Sequence, residues 1–477
     1  MSSNAIFRQY LAACLACLSM MLCGASYGWT SPVLPRLLKS GEINMTDDQS
    51  SWVAAFIEVG NLISPLPFGS IIDVWGRKPC ILLTGPLYII SWVVVLTTRS
   101  VMWLYIERII QGFAVGIMCT VVPVYVGEIA QPSVRGSSST MNQGMLYAGI
   151  VYTYCLGPYM SYQAFAYANL AVAVVFCLTF CWMPESPYFL IMKDREKEAA
   201  ESLKWLYGED SVSDVQEELK VVKESVEEDM RSKGTWWDLL KTSGDRKALL
   251  ILQAALVVKY MSGYLGIVSY ATKTFTAKGD SILNGDEWAI LMGFILFLPM
   301  FIGAALVERC GRRPLLIISS VGCTICDLLA VVYYYIEAET DIYISKYSWI
   351  AFCCIAGYCV LFSIGLGPLV CVLKAEFFPS NTRGKASAIS NLTETVACFI
   401  CIKLYQVLSD GVGMYMNYAM FAFFCLMGSV LIYLYVPETT GMTFSEIQRQ
   451  FHKVKQSDGF PEKKSPENGA CGAIQNC

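Results

Sequence analysis

Apolar stretches long enough to cross a bilayer recur along the chain between short polar turns, at roughly 10–30, 51–72, 80–99, 101–126, 140–158 and 162–183, and again at 248–271, 287–307, 314–336, 348–373, 386–408 and 413–436. Spanning hydrocarbon as a helix takes about 20 such residues, so the pattern predicts an all-α membrane protein of twelve transmembrane helices in two six-helix, pseudo-symmetric bundles. The first run continues through Gly24, Gly28 and Trp29 without a cleavage signal, which reads as a span rather than a signal peptide. A charged stretch at 184–247 separates the halves. Within it Val215, Leu219, Val222 and Val226 recur at helical spacing after Ser213, with Gln216 three positions on, which predicts a capped amphipathic helix packed under the bundle. The organisation expected is therefore 1–183, a linker 184–247, 248–447, and a polar tail 448–477 that carries Pro461, Pro466 and Gly469 and reads as disordered.

Basic residues orient the spans. Arg77 and Lys78, Arg135, then Arg309, Arg312 and Arg313, then Arg383 and Lys385 all fall in even-numbered loops, which predicts that these loops and both termini face the cytoplasm. The first outer loop then offers Asn44-Met45-Thr46 as a glycosylation acceptor, whereas Asn391-Leu392-Thr393 has the same pattern inside a span and should stay bare.

Composition removes several functions. With 55% hydrophobic and 16% charged residues the solvent for most of the chain is lipid, and at net charge -4 there is no basic stripe to hold a nucleic acid. The twenty cysteines mostly lie in apolar runs and read as small helix residues rather than a disulfide framework. The pairs Cys14/Cys17, Cys323/Cys326 and Cys398/Cys401 have no second pair or histidines to complete a zinc site, so no metal or cofactor is expected. The single histidine, His452, sits in the polar tail, which leaves no basis for histidine catalysis and makes an enzyme an unsupported reading.

The two halves share motifs. Asp73-Val74-Trp75-Gly76-Arg77-Lys78-Pro79 after the second span matches Glu308-Arg309-Cys310-Gly311-Arg312-Arg313-Pro314 after the eighth. Glu128 stands seven residues before Arg135-Gly136, as Glu376 stands before Arg383-Gly384, and Pro184-Glu185-Ser186-Pro187 closes the sixth span as Pro437-Glu438-Thr439-Thr440 closes the twelfth. Three motifs in one order indicate a duplicated six-helix unit. Glycine permits the tight turn between helices, and acids at helix ends facing arginines can form bidentate bonds that latch the halves. Rehydration of those charges when the halves rock apart makes such a latch part of a bistable equilibrium. The plainer reading, topology signals alone, accounts for the arginines but not for acids at fixed spacing.

These motifs, with Gly24-Ala25-Ser26-Tyr27-Gly28-Trp29-Thr30-Ser31-Pro32 and Arg108-Ile109-Ile110-Gln111-Gly112-Phe113, resemble the sugar-porter branch of the major facilitator superfamily over about residues 10–447. The Gly-Trp-Thr-Ser-Pro run and Lys403 are most similar to its trehalose-transporting members from insects. The resemblance implies alternating access to a midplane sugar site, a small-molecule sugar as ligand, and a plasma-membrane location. It also implies latch roles for Asp73, Arg77, Lys78, Glu128, Arg135, Glu308, Arg312, Arg313, Glu376 and Arg383, and a sugar-binding role for Gln143, a neutral donor and acceptor.

The C-terminal half departs from the family. Where members show Gln-Gln-x-Ser-Gly-Ile-Asn, this chain has Lys259-Tyr260-Met261-Ser262-Gly263-Tyr264-Leu265, so Lys259, Tyr260, Ser262 and Tyr264 are the candidate pocket residues there. The eighth-helix asparagine becomes Leu296, the tenth-helix tryptophan Cys371, the eleventh-helix asparagine Glu394, and the arginine often found after Pro-Glu-Ser-Pro becomes Tyr188. Lys259 and Glu394, opposite charges at membrane depth, are expected to compensate one another as an ion pair across the pocket, or else each to reach water separately. The coupling aspartate of proton-driven members would fall near Ser26, and its absence favours downhill transport; the alternatives are a different, charged or proton-coupled solute, or a non-transporting sensor.

Overall fold

The computed structural model describes residues 3–207, 212–231, 236–275, 284–340, 347–378, 380–439 and Gln450. The tail expected to be disordered lies outside them except for Gln450. The described secondary structure is helical throughout, as lipid demands of a chain that must satisfy its backbone internally.

In the first half the helices are α1 (Ser3–Gly28), α2 (Thr30–Ser40), α3 (Asp47–Ile63), α4 (Pro65–Trp75), α5 (Arg77–Thr97), α6 (Val101–Ile129), α7 (Pro132–Leu156) and α8 (Tyr162–Phe180). The linker forms α9 (Pro187–Met192), α10 (Glu196–Tyr207), α11 (Val212–Arg231) and α12 (Asp238–Lys241). The second half forms α13 (Ser243–Met261), α14 (Tyr264–Ser269), α15 (Ala271–Phe275), α16 (Gly285–Phe297), α17 (Pro299–Cys310), α18 (Arg312–Glu339), α19 (Ser348–Ile364), α20 (Leu366–Glu376), α21 (Ser380–Gly411) and α22 (Met414–Tyr435). Joined across their short breaks, these make twelve transverse segments, as the hydropathy pattern predicts.

Ten segments are long and apolar enough to cross a membrane, and the pair α3 and α4, bent by 46°, is an eleventh. The remaining segment, α7, carries the polar run Ser137-Ser138-Ser139-Thr140 and then Asn142-Gln143. The bends follow from backbone chemistry. Pro65 and Pro299, at corresponding places in the halves, begin α4 and α17 and remove the amide that would continue the preceding helix. At Gly263 the chain enters the left-handed region (φ +102°), separating α13 from α14.

Within the first half α1 packs on α7, α3 on α6, and α5 on α6 and α8; within the second, α13 packs on α21 and α22, and α18 on α19 and α22. The halves meet where α3 lies against α21 and α7 against α16. Under the duplication the second segment corresponds to the eighth and the fifth to the eleventh, so these two interfaces are one contact repeated. The linker helix expected from Val215, Leu219, Val222 and Val226 is α11, starting one residue before Ser213; Val226 is buried with Phe189, Leu190, Ile191 and Ala199.

Candidate functional site

The paired loops build the same structure twice. Gly76 and Gly311 both have positive φ (+106° and +83°), so each turn needs glycine. In the first half Arg77 is buried and forks onto Glu128, with Nη2 to Oε1 at 2.9 Å and Nε to Oε2 at 2.9 Å, while Asp73 lies 3.3 Å from Nη1. Ser186 donates to the same Glu128 carboxylate, and the guanidinium lies 5.2 Å from the centre of the Phe189 ring. In the second half Arg312 Nη2 meets Glu376 Oε1 at 2.7 Å, and Arg313 Nη2 donates to the Tyr433 carbonyl at 2.6 Å.

Two residues that form this end were recognised in the sequence only as repeat markers. Glu185 accepts the backbone N–H groups of Arg77 and Lys78, each at 3.1 Å, and of Ser186 at 2.8 Å. Glu438 accepts those of Arg312 and Arg313, each at 3.1 Å, and of Thr439 at 3.0 Å. Each carboxylate thus closes the N-terminus of the helix after the glycine turn, where unpaired amides and the helix dipole favour an anion. Burial pushes the Glu185 carboxyl up from its ordinary value, against the pull of these amides and of Arg77. A Cβ on Gly76 would collide with Glu185 Oε2, a second reason for glycine there.

The bonds described join helix ends inside one half, rather than one half to the other as a latch between halves requires. The side chains of Arg135, Glu308 and Arg383 lie outside the described residues, and Lys78 enters through its backbone amide.

Near the middle of the bundle, Gln143 on α7 is half-buried beside Tyr147, whose hydroxyl also neighbours Ser363. Tyr264 stacks on Phe362 (centroids 4.8 Å apart) and meets Tyr147 edge-on at 6.0 Å. Ser262 donates to the Lys259 carbonyl at 2.7 Å and shares a hydrogen bond with Tyr358 at 3.0 Å, so its hydroxyl is occupied by the fold. Leu296, at the position of the family's asparagine, is buried.

The expected Lys259/Glu394 pair is not formed. Glu394 meets Lys374 of α20 at 3.8 Å, and Lys374 also donates to Asn391. Lys259 is buried, donates to Cys371 Sγ at 3.0 Å, and lies 4.9 Å from the centre of the half-buried Tyr260 ring. Compensation of Glu394 within the second half holds, but its partner is one turn beyond Cys371 rather than on α13.

The first half carries buried charges that the apolar pattern concealed. Glu58 accepts from Tyr27 at 2.8 Å and from Asn61 at 2.9 Å. Arg108 donates to the carbonyls of Ser26 at 2.8 Å and Val53 at 3.1 Å and to Gln111 Oε1 at 2.7 Å, and its guanidinium lies 5.5 Å from the Trp29 ring. An isolated carboxylate such as Glu58 inside an apolar span was itself the readable signal.

At the end opposite the arginines, side chains do cross between halves. Thr30 donates to the Ser269 carbonyl at 2.9 Å, Ser31 and Thr272 share a bond at 3.1 Å, and Tyr154 donates to the Val268 carbonyl at 2.5 Å. Lys403 reaches Asp48 at 2.7 Å and Ser51 at 2.6 Å, over the Trp52 ring at 4.2 Å. Asn44 lies exposed at the same end in the loop before α3, and Asn391 is buried in α21.

The family model for "Sugar (and other) transporter" matches residues 14–451. The chain is 30% identical over 467 residues to the facilitated trehalose transporter Tret1 of Bombyx mori, covering 97% of this chain and 90% of that one. It is 29% identical to the Tret1 of Drosophila willistoni, of whose length it spans 51%. Among solved structures, the proton:xylose symporter XylE bound to 6-bromo-6-deoxy-D-glucose superposes with a TM-score of 0.76 at 20% identity, covering 94% of this chain and all of that one. The inward-open conformation of the E. coli xylose transporter XylE matches at 0.75, with 92% and 98% covered. These structures share the fold.

Proposed function

The chain belongs to the family of sugar (and other) transporters and is a multi-pass membrane protein, and from that premise we propose that it carries a trehalose- or hexose-like sugar down its gradient by alternating access. The observation that carries this reading is similarity to facilitated trehalose transporters along nearly the whole chain, 97% of it in the Bombyx mori case. The relatives are transporters and not enzymes.

On this reading residues 1–183 and 248–447 are the two moving bundles, 184–247 is a cytoplasmic linker, and the arginine-bearing end with both termini faces the cytoplasm of a plasma-membrane protein. Excess arginine in the even loops supports that orientation, and exposed Asn44 at the opposite end is then a glycosylation acceptor. Gln143 and Tyr264, with Tyr147 and Ser363, form the wall that reads sugar hydroxyls; Lys259, Tyr260, Ser262 and Glu394 shape its second-half side. The fork of Arg77 on Glu128, with Asp73, and the pair Arg312–Glu376 hold each half's cytoplasmic helix ends as rigid units. Arg135, Glu308, Arg383 and the charged head of Lys78 complete the latch between halves, with Arg313 held on the Tyr433 carbonyl of its own half. Ser26 in place of a coupling carboxylate supports downhill flux.

The test is uptake of labelled trehalose, glucose and polyols by cells displaying the chain, with and without a proton gradient. Sugar entry independent of the gradient is expected. Entry that requires the gradient would transfer the coupling role to a buried acid such as Glu58, and no entry with surface display verified would sink the transport reading.

A further inference from the structure

Resting on the sugar-porter reading, we propose that the solute carries an anionic group on a polyhydroxylated body, as in a sugar acid, and that Lys259 binds its carboxylate. Lys259 stands on α13 just before the break at Ser262–Gly263, with 5% of its surface exposed. Its described partners are the Cys371 thiol at 3.0 Å and the face of Tyr260 at 4.9 Å. A thiol is a weak acceptor, and a ring face offers only its quadrupole, so neither supplies the counter-charge that a buried ammonium ordinarily requires.

The neighbouring acids are engaged elsewhere. Glu394 faces Lys374 at 3.8 Å, and Lys374 is further held by Asn391. Glu58, from the first half, is filled by donors of its own half, Tyr27 and Asn61. In the second half, Lys259 and Lys374 carry two positive charges against the one carboxylate Glu394, which lies within electrostatic reach of Lys259 but makes its ion pair with Lys374. Cys371, which touches the ammonium, is itself exposed.

Neutral hydrogen-bonding groups stand nearby. The Tyr264 hydroxyl is buried with no partner among the described residues, although such groups are nearly always satisfied in a finished fold, and the Tyr147 hydroxyl lies beside that of Ser363 and the amide of Gln143. The Tyr147 and Tyr264 rings touch, Tyr264 stacks on Phe362 next to Ser363, and Tyr147 lies within electrostatic reach of Cys371. One wall therefore presents hydroxyls to hydroxyls and continues to a lone ammonium. A neutral sugar would satisfy the first and leave the second bare; a sugar acid satisfies both.

The experiment uses the purified full-length chain and reads ligand protection against thermal unfolding, with glucuronate, glucose, trehalose and chloride as probes, in the native sequence, K259Q and K259R. Counterflow of labelled trehalose in reconstituted vesicles, competed by glucuronate, is run beside it. Glucuronate should protect at a concentration at least tenfold below that needed for glucose. K259Q should abolish that margin, and K259R, which keeps the charge, should retain most of it. If trehalose exchanges and glucuronate neither protects nor competes, or if chloride alone reproduces the protection, the inference is overturned while the transport reading stands. If glucuronate protects in a Lys259-dependent way and no solute moves, the anion site stands and transport fails. Should K259Q not fold, loss of the glucuronate margin on adding the charge-preserving K259R alone counts against the inference, and its retention in K259R supports it.

Discussion

Glu394 draws its compensation from Lys374 at 3.8 Å, in side chains that are 17% and 16% exposed. A partly buried pair of this kind is worth little as a net contribution, but removing one member strands the other in a poorly hydrated site. E394Q and K374M should therefore each lower thermal stability in detergent, while the double variant recovers part of the loss, with a coupling of about 1–2 kcal/mol in a double-mutant cycle. Purely additive losses would show that the two charges reach water independently. The same site marks how far residues can be read from sequence. Opposite signs at membrane depth announced compensation, but spacing along a chain does not say which helices become neighbours. Lys374, one turn after Cys371, sits at the edge of an apolar run, where a lysine reads as an ordinary span boundary. Glu58 stands out as a carboxylate in an apolar run, but spacing along the chain does not show that Tyr27 of α1 reaches it.

Helix ends are where element-scale prediction succeeded and stopped. Duplicated glycine turns required positive φ and have it, and the Pro-Glu motifs were visible as repeats, yet their task depends on two helix termini meeting. Glu185 and Glu438 each take the first amides of the helix that follows a glycine turn. A charge so placed stabilises a helix by about 0.3–2 kcal/mol, and burial of Glu185 offsets part of the gain. E185Q and E438Q should each cost about 1 kcal/mol in equilibrium unfolding, and the two costs should add because the sites lie in different halves. Unchanged stability in both variants would mean that water replaces the carboxylates without loss. Spans were legible because lipid leaves a helix as the available structure for an apolar run. Their interruptions at Trp29, Ser64, Leu298 and Gly365 were not, because hydropathy continues unbroken across a change in backbone direction.

For the whole molecule, the described bonds between halves gather at the end opposite the arginines, and the charged one is Lys403 of α21 on Asp48 of α3. It spans the α3–α21 interface; in the duplicate, α7 against α16, the acids at the helix start are kept as Asp286 and Glu287, but α7 has Cys155 at the position of Lys403. The clasp therefore acts on one side of a pseudo-symmetric joint. Asp48 is 72% exposed, so solvent screening limits the pair to about 1 kcal/mol or less. That is small for folding but not for a transporter, whose two states differ by a few kcal/mol. Removing the clasp favours the state open at its own end, and apparent affinity from that side rises with the fraction of competent protein. K403M should then lower the half-saturating concentration for entry from the Asn44 side by up to about fivefold, the factor that 1 kcal/mol commands. D48N should do the same, and the two together no more than either alone. High salt should weaken the difference between the native chain and its variants, since an exposed ion pair is screened. An unchanged half-saturation in both variants, with surface display equal to the native chain, would place the control of that end in the uncharged bonds of Thr30, Ser31 and Tyr154 instead.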